Sequence, residues 1–156
     1  MFIRCRIFCR KHNSQENILR RKQMPEMTFI TIGRVLLGLY FLLPGISKIP
    51  TYAFTIEYMM LHNIPFVSIL LPITIVLQLV LGSSLIIGYR IKESALVLAA
   101  LTILINIGVH DFWNDYPNTD ADHELQNFIK NLGIFAGLLA LSASKNVSQW
   151  RLFKHS

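Results

Sequence analysis

Four long apolar stretches restrict what this sequence can fold into. They cover residues 29–46, 66–89, 94–109 and 131–143, and they contain one charged residue, Arg34. Only 15% of the whole chain is charged, whereas a soluble domain carries about 25%. The composition therefore argues against a soluble domain, and two cysteines are too few for a disulfide scaffold. It predicts a small membrane protein that crosses the bilayer several times.

The lengths of these stretches suit transmembrane helices. A span needs about 20 helical residues, because the hydrocarbon core is about 30 Å thick and a helix rises about 1.5 Å per residue. Backbone groups have no partner in lipid outside a helix or a closed barrel, so each span is expected to be helical. We predict an all-α protein with four transmembrane helices in a bundle. The spans are predicted at about 29–47, 66–89, 93–110 and 128–144, within a membrane domain covering 27–144.

Lys and Arg are distributed unevenly around these spans. Twelve of the 15 precede the first span, lie in the 90–93 turn or follow the last span, whereas the opposite loops hold only Lys48 and Lys130. Because basic loops stay on the cytoplasmic side, this pattern predicts cytoplasmic N- and C-termini in the inner membrane of the cell. It also explains the formal net charge of +6 without a nucleic-acid partner.

Two basic tails flank the predicted membrane domain. Residues 1–26 are expected to form a cytoplasmic tail that is either disordered or upstream of the true start, since Met24 and Met27 are alternative starts. Residues 145–156 are expected to form the second cytoplasmic tail. A cleaved signal peptide suits the N-terminal region less well, because its apolar run is too long and lacks a small-residue cleavage site.

The segments between the spans differ in character. Residues 47–65 are too polar to span the membrane and too apolar for a free loop, which predicts a short interfacial helix between the first and second spans. The 110–130 loop instead holds five acidic residues, together with Trp113, a residue type typical of the membrane interface. No spacing in this loop matches a known metal-binding motif, so we expect no metal site.

Nine residues within or beside the spans are candidates for a polar or ligand-binding site. They are Arg34, Lys48, Gln78, Asn106, His110, Asp111, Trp113, Lys130 and Asn131. A charge such as Arg34 inside a span needs a partner, so we expect either an ion pair with Glu93 or an anion site, and favour the ion pair. Gln78 is expected to form an interhelical hydrogen bond, with contact to a quinone or another polar ligand head as the alternative.

The remaining polar candidates all belong to one predicted side of the membrane. Asn106 and His110 are four residues apart and share a helix face. They could converge with Lys48, Lys130 and Asn131, beside Asp111, and a histidine near such groups suits proton transfer or head-group binding. The alternative is that helix ends are polar wherever they meet water. No complete catalytic set is present, so an oxidoreductase role would require partner subunits.

Six glycines are predicted to serve helix packing, because small residues let helix backbones approach closely. They are Gly33, Gly38, Gly45, Gly82, Gly133 and Gly137.

Four short motifs give the chain a family resemblance. They are "GRVLLG" (33–38), "GISK" (45–48), "HDFW" (110–113) and "KNLGIFAGLL" (130–139). In this order and at these positions, over roughly 29–143, the sequence resembles the DoxX family of small four-helix membrane proteins. Gln78 stands where that family often has a glutamate one turn before a glycine, so the resemblance implies no proton-carrying role there. Ala136 stands where the family commonly has a glycine, which affects packing alone.

The resemblance implies an association with respiratory or thiol redox systems. Some members are subunits of a quinol-oxidising complex or membrane anchors for redox partners. We therefore expect an accessory or anchoring subunit of a quinol or thiol redox system, with redox proteins or a second copy of the chain as partners. No resident cofactor is expected, although a quinone is a candidate ligand. The alternative is a small-molecule or lipid carrier that acts as a homo-oligomer.

Overall fold

The computed structural model describes residues 27–114, 116 and 119–144. In this part of the chain there are five α-helices and no strand. They are α1 (Met27–Ser47), α2 (Tyr52–Leu61), α3 (Val67–Ile87), α4 (Ile91–Val109) and α5 (Ala121–Ala143). The all-α class is thereby confirmed, including a short helix between the first two long ones. The predicted basic tails, 1–26 and 145–156, lie outside the described residues.

Three of the helices are long and apolar enough to cross a membrane. They are α1, α3 and α4, with mean hydropathies of 1.8, 2.3 and 1.7 over their most apolar windows. Their bounds agree with the first three predicted spans to within two residues at each end. The fifth helix, α5, is 23 residues long. Its first turns carry Asp122, His123 and Glu124, which make it more polar than the other three.

The start of α5 differs from the sequence prediction. The fourth span is predicted from residue 128, whereas α5 begins at Ala121. The reason is a local cap: the side chain of Asp120 accepts a hydrogen bond from the backbone N–H of Asp122 at 3.0 Å. Carboxylates in a first helical turn also interact favourably with the positive end of the helix dipole. The acidic part of the predicted loop is therefore helical from residue 121.

Left-handed backbone conformations shape the two turns that connect α2 to α3 and α3 to α4. Asn63 and Phe66 have φ values of 54° and 53°, and they turn the chain from α2 into α3. At the α3–α4 turn, Gly88 has a φ of 85° and Arg90 a φ of 42°. Glycine adopts this conformation without a steric penalty, which explains the abrupt end of α3.

Helices α1 and α3 approach each other closely at two glycines. A Cβ atom added to Gly38 would lie 2.8 Å from the carbonyl oxygen of Gly82, and one added to Gly82 would lie 2.9 Å from the carbonyl oxygen of Gly38. At Gly45 a Cβ would meet the side chains of Gln78 and Leu79 at 3.1 Å. Three of the six glycines predicted to serve packing thus lie at this contact.

The other three glycines are less enclosed. A Cβ atom added to Gly33 or Gly133 would have no described heavy atom within 4 Å, and one added to Gly137 would meet only the end of Leu37, at 3.9 Å.

The apolar core lies where α1, α3, α4 and α5 come together, and α5 packs most extensively against α4. Leu85, Leu98 and Leu138 are completely buried there. Large apolar side chains on the opposite helix faces are exposed, for example Val76 at 57% and Leu104 at 67%. Such exposure is expected of helices whose outer faces contact lipid.

Candidate functional site

Two buried carboxylates lie at the end of the molecule where α4 ends and α5 begins. Asp111 follows α4, and Glu124 lies in the first turn of α5; each is only 6% exposed. A buried carboxylate needs hydrogen-bond donors or a cation to compensate for the loss of water. Each of these carboxylates has a histidine and a tyrosine as partners, and the two sets lie side by side.

The first set surrounds Asp111. His62, just after α2, places Nδ1 2.9 Å from Asp111 Oδ1. The hydroxyl of Tyr116 and the side-chain amide of Asn114 both donate to Asp111 Oδ2, at 2.6 Å and 2.7 Å. The rings of His62 and Tyr116 also touch, with centroids 4.4 Å apart. These contacts attach the C-terminal end of α2 to the segment that follows α4.

The second set surrounds Glu124, and we name it the His110 cluster: His110, Glu124 and Tyr58. His110 Nδ1 lies 2.6 Å from Glu124 Oε2, and the Tyr58 hydroxyl donates to Glu124 Oε1 at 2.7 Å. Tyr58 lies on α2 and its ring touches His62 at 4.8 Å between centroids. The two sets therefore meet through Tyr58 on α2 and His62 just after it.

The protonation of both carboxyl groups is shifted by these contacts. Burial acts to raise the pKa of Asp111, but the hydrogen bond from Tyr116 and its neighbours outweighs burial, and the pKa is lowered. Burial likewise acts to raise the pKa of Glu124, and the hydrogen bonds from His110 and Tyr58 reverse the effect. Burial, followed by the contact with Glu124, raises the pKa of Tyr58. At neutral pH both acids are ionised and Tyr58 keeps its proton.

A cavity of about 320 Å³ extends from the His110 cluster between the helices. All five helices contribute to its wall, which is mostly apolar, with Phe41, Leu71 and Ile105 among the lining residues. Its polar lining residues are Tyr40, Lys48, Thr55, Tyr58, Thr74, Gln78, Thr102, His110 and Asn131. A mainly apolar surface with polar groups at defined places is typical of small-molecule sites, and this volume is near the lower limit of about 300 Å³ for such sites.

Two hydrogen-bonded pairs stand in this wall. Lys48 Nζ donates to Gln78 Oε1 at 3.3 Å, and the Tyr40 hydroxyl donates to Asn131 Oδ1 at 2.9 Å. The Gln78 amide nitrogen donates to no residue in the described part of the chain, and the Lys48 ammonium uses one of its three hydrogens. Both groups retain hydrogen-bond donors for a ligand in the cavity.

A second, open depression of about 440 Å³ adjoins the cavity. It shares Tyr40, His110 and Asn131 with the cavity, and its own lining includes Lys130 and Asn127. Lys130 is exposed. The shared residues stand between the cavity and the surface, so they separate the interior from the outside of the molecule.

The nine sequence candidates are thus distributed over several places. Lys48, Gln78, His110 and Asn131 line the cavity, Lys130 lines the depression, and Asp111 belongs to the neighbouring set. Three candidates lie elsewhere: Asn106, Trp113 and Arg34.

Asn106 is completely buried and donates to the carbonyl oxygen of Phe128 at 3.2 Å, which joins α4 to α5. Trp113 is 55% exposed, and its ring packs edge-on against Phe112 and Phe128. Both therefore have structural contacts outside the cavity wall.

Arg34 is buried in α1, with 2% of its surface exposed. Its two terminal nitrogens, both inaccessible, have no hydrogen-bond partner within the described residues. The favoured ion pair with Glu93 is not formed: the Glu93 side chain is 59% exposed and lies 3.8 Å from Arg90. Glu93 meets water at the start of α4, so it has no need of a buried partner.

Sequence reasoning missed several residues of the site, above all Tyr58, His62 and Glu124. Tyr58 and His62 are four residues apart on and just after α2, and this spacing is the signal that would have indicated a shared helix face. Glu124 is one of five acids in the 110–130 segment, and no local pattern distinguishes it from the exposed ones. In the parts of the chain that the structure describes, no group of three or more His, Cys, Asp or Glu residues is arranged to hold a metal ion.

Comparison with known proteins gives one family and one relative. A family model described as DoxX matches residues 29–111, a little more than half of the chain. The chain is also 29% identical over 113 residues to "Inner membrane protein YqjF" of Escherichia coli (strain K12), an alignment that covers 72% of this chain and 81% of that protein. No solved structure gives a significant match. The family match begins two residues into α1, includes α2 to α4 and extends to Asp111.

Proposed function

This chain belongs to the DoxX family and is a multi-pass protein of the inner membrane, and from this premise we propose that it is an accessory subunit of a membrane redox system. In this role it binds a quinone or quinol between its helices and presents it to a redox partner protein. The observation that carries the proposal is the cavity with its apolar wall and its free hydrogen-bond donors at Lys48 and Gln78.

The chemistry of the cavity wall fits a quinone head group. A quinone has a flat apolar ring and two carbonyl oxygens, which accept hydrogen bonds. Lys48 and Gln78 supply donors to one of these oxygens, while Phe41, Leu71 and Ile105 offer apolar contact to the ring. Bound there, a quinone would supply two-electron redox chemistry that amino-acid side chains lack, and the chain itself would position it.

The proposal includes the membrane arrangement. We take α5 from about residue 128 onward as the fourth span, which completes a four-helix bundle with α1, α3 and α4, since α5 packs against α4 and reaches α1 through Tyr40 and Asn131. The excess of Lys and Arg in the tails and in the α3–α4 turn supports cytoplasmic termini. The His110 cluster would then face the opposite, outer side. Reporter fusions at the C-terminus, one active only in the cytoplasm and one only outside it, test this arrangement.

A direct binding measurement tests whether the cavity holds a quinone. The full-length protein in lipid nanodiscs should bind decylubiquinone. Gln78→Leu should weaken this binding at least about tenfold, because a buried carbonyl oxygen of the quinone loses its hydrogen-bond donor. Gly133→Ala is the matched control, since residue 133 lies outside the cavity and an added Cβ there has no neighbour within 4 Å. Equal binding by all three proteins would contradict a quinone site in the cavity.

Purification in mild detergent tests the accessory role. A redox protein should co-purify with the full-length chain in stoichiometric amount, together with endogenous quinone. Recovery of a lone homo-oligomer with no redox partner and no bound quinone would contradict this role.

One observation favours a second candidate function, a carrier for a small molecule or lipid. The cavity and the open depression share Tyr40, His110 and Asn131, so a small rearrangement of these side chains would connect the interior with the surface. In proteoliposomes a carrier should give a flux that exceeds that of empty vesicles and is reduced by Lys130→Ala. Equal flux in protein-containing and empty vesicles would exclude this function.

A further inference from the structure

An open groove of about 990 Å³ lies between α3 and α4, at the end where the two helices are joined. Both helices are long and apolar enough to cross a membrane. The groove shares no lining residue with the cavity of about 320 Å³. Its occupant is therefore a separate question from the ligand of the cavity.

The deeper part of the groove is apolar. Val80 and Ile87 of α3 and Val97 of α4 line it, and all three side chains are exposed. Between residues 80 and 87 this wall extends about 10 Å along α3, at about 1.5 Å per residue. An open apolar surface on helices of this kind marks a contact with the membrane, so the groove suits part of an acyl chain.

The mouth of the groove is polar. Tyr89 is exposed there, and the side chains of Arg90 and Glu93 are 64% and 59% exposed. Tyrosines are typical of the level of the lipid head groups. The 19 residues of α4 extend about 28 Å, close to the hydrocarbon thickness of about 30 Å. The start of α4 therefore lies where head groups are found.

Two opposite charges stand side by side at this mouth. Arg90 Nη2 lies 3.8 Å from Glu93 Oε1, and neither side chain has another ion pair among the residues that the structure describes. A charge-assisted hydrogen bond is shorter, at about 2.7 to 2.9 Å. Both groups therefore remain available to a third partner. The φ of 42° at Arg90 would suit glycine better, so the turn itself gives no reason for an arginine.

We propose that this groove binds one phospholipid of the phosphatidylethanolamine type, whose head group carries a phosphate and a primary ammonium. The phosphate faces the guanidinium of Arg90, a group whose planar donors match phosphate oxygens. The ammonium donates to the carboxylate of Glu93. One acyl chain lies against Val80, Ile87 and Val97. The two side-chain charges cancel, as do the two charges of the head group.

Other phospholipids match these two charges less well. Phosphatidylcholine has the same phosphate, but its methylated ammonium has no N–H to donate to Glu93. Tyr89 is the one aromatic side chain among the described residues that line the groove, whereas a quaternary ammonium is recognised by an aromatic cage. Phosphatidylglycerol has no ammonium and leaves the Glu93 carboxylate beside a phosphate.

The experiment measures lipid binding by native mass spectrometry. The full-length protein in mild detergent is titrated with the three lipids, all carrying identical acyl chains. Wild type should bind one phosphatidylethanolamine about fivefold more tightly than either of the others. This ratio corresponds to about 1 kcal/mol, the upper end of the range for exposed ion pairs.

Substitutions at the mouth separate the two charges. Glu93→Ala should remove the preference for phosphatidylethanolamine over phosphatidylcholine. Arg90→Gln should weaken both lipids alike, because both carry the phosphate. Lys92→Gln is the matched control: it removes an exposed basic residue of the same turn that does not line the groove, so wild-type binding should be retained.

A substitution in the apolar part tests the groove itself. Val97→Trp should fill it and weaken all three lipids at least about fivefold. Leu104→Trp, seven residues further along α4 and outside the groove, should not. Thermal unfolding of each variant should stay near that of wild type, because these side chains are exposed.

Several results would overturn the proposal. Equal binding of the three lipids to wild type would do so, as would an unchanged preference in Glu93→Ala. Tighter binding of phosphatidylglycerol than of phosphatidylethanolamine would show a plain anion site instead. Equal effects of Val97→Trp and Leu104→Trp would place the lipid outside the groove. Decylubiquinone binding in the cavity should be the same in Val97→Trp and wild type, so the two proposals can fail separately.

Discussion

Helices α1 and α3 contact each other in two layers with opposite properties. In the first, the closed layer, Gly38 and Gly82 bring the two backbones together, and a methyl group at either position would lie within 3 Å of the other's carbonyl oxygen. In the second, the cavity layer, Gly45 packs against Gln78, and Lys48, just after α1, donates a hydrogen bond of 3.3 Å to the side chain of the same glutamine. The same pair of helices therefore encloses no space in one layer and borders a cavity in the other.

The difference shows how a small membrane protein can retain a polar cavity. Lipid tails are as apolar as the side chains of the helices, so the hydrophobic effect does not bring helices together in a membrane. They associate instead through close packing and hydrogen bonds. The closed layer supplies the close packing, with Leu85, Leu98 and Leu138 completely buried beside it. In the cavity layer, Lys48 and Gln78 keep hydrogen-bond donors that have no partner within the described residues, which costs stability. We therefore expect substitutions in the closed layer to affect stability most, and substitutions in the cavity layer to affect ligand binding most.

The largest loss of stability is expected for Gly38→Leu. The new side chain would collide with the backbone of Gly82 and with Ile86, and the free energy of unfolding should fall by about 3 kcal/mol. Thermal unfolding in mild detergent measures this. Gly33→Leu is the control, because residue 33 is exposed and an added Cβ there has no neighbour within 4 Å. Similar losses for the two variants would contradict the closed layer.

Removal of the carboxylate in the His110 cluster should have the next largest effect. Glu124→Ala leaves His110 and Tyr58 without their shared acceptor, so the free energy of unfolding should fall by about 2 kcal/mol. Asp122→Ala removes an exposed acid from the same turn of α5 and should cost less than about 1 kcal/mol, mainly through the helix dipole. A larger loss for Asp122→Ala than for Glu124→Ala would refute the cluster.

Acid should weaken the same end of the molecule. The pKa values of Asp111 and Glu124 are lowered in the folded protein from ordinary values of 3.8 and 4.5. The unfolded chain therefore takes up protons at a higher pH than the folded chain, and the free energy of unfolding decreases as the pH is lowered. The contribution of these acids is complete above their ordinary pKa values and is lost as pH falls through the lower, folded values.

The double variant Asp111→Asn with Glu124→Gln tests this assignment. Its melting temperature in detergent should depend less steeply on pH below about pH 5 than that of wild type. The same steep dependence in both proteins would assign the acid sensitivity to other groups.

The smallest effect is expected for Lys130→Ala. Lys130 is exposed and lines only the depression, so unfolding should change by less than about 0.5 kcal/mol. Lys48→Ala should affect stability modestly but weaken decylubiquinone binding about tenfold, since it removes a donor from the cavity wall. If Lys130→Ala weakened quinone binding more than Lys48→Ala, the ligand would lie in the depression and the cavity layer would lose its proposed role.

The sequence predicts the helices better than it predicts the site. The apolar runs locate α1, α3 and α4, because only helices satisfy the backbone in lipid. The start of α5 was missed because its first turns are acidic, and the signal there is the Asp120 cap rather than an apolar pattern. Of the site, the spans themselves indicate Lys48, Gln78 and Asn131, since polar residues stand out in an apolar sequence.

The hydrogen-bonded pairs depend on the tertiary fold, so no local pattern predicts them. Tyr58 and Glu124 are 66 residues apart in sequence, and His62 and Asp111 are 49 apart. Choosing Glu124 among five neighbouring acids requires knowing which face of α5 meets α2 and α4.

Photolabelling tests the central claim, that the cavity layer holds a quinone, most directly. The full-length protein in nanodiscs is irradiated with an azido-substituted ubiquinone, and the modified residues are identified by mass spectrometry. The account predicts labelling of cavity residues on several helices, such as Met59, Leu71 and Ile105, and protection by excess decylubiquinol. Labelling confined to lipid-facing residues such as Val76 and Leu104, without protection, would contradict it.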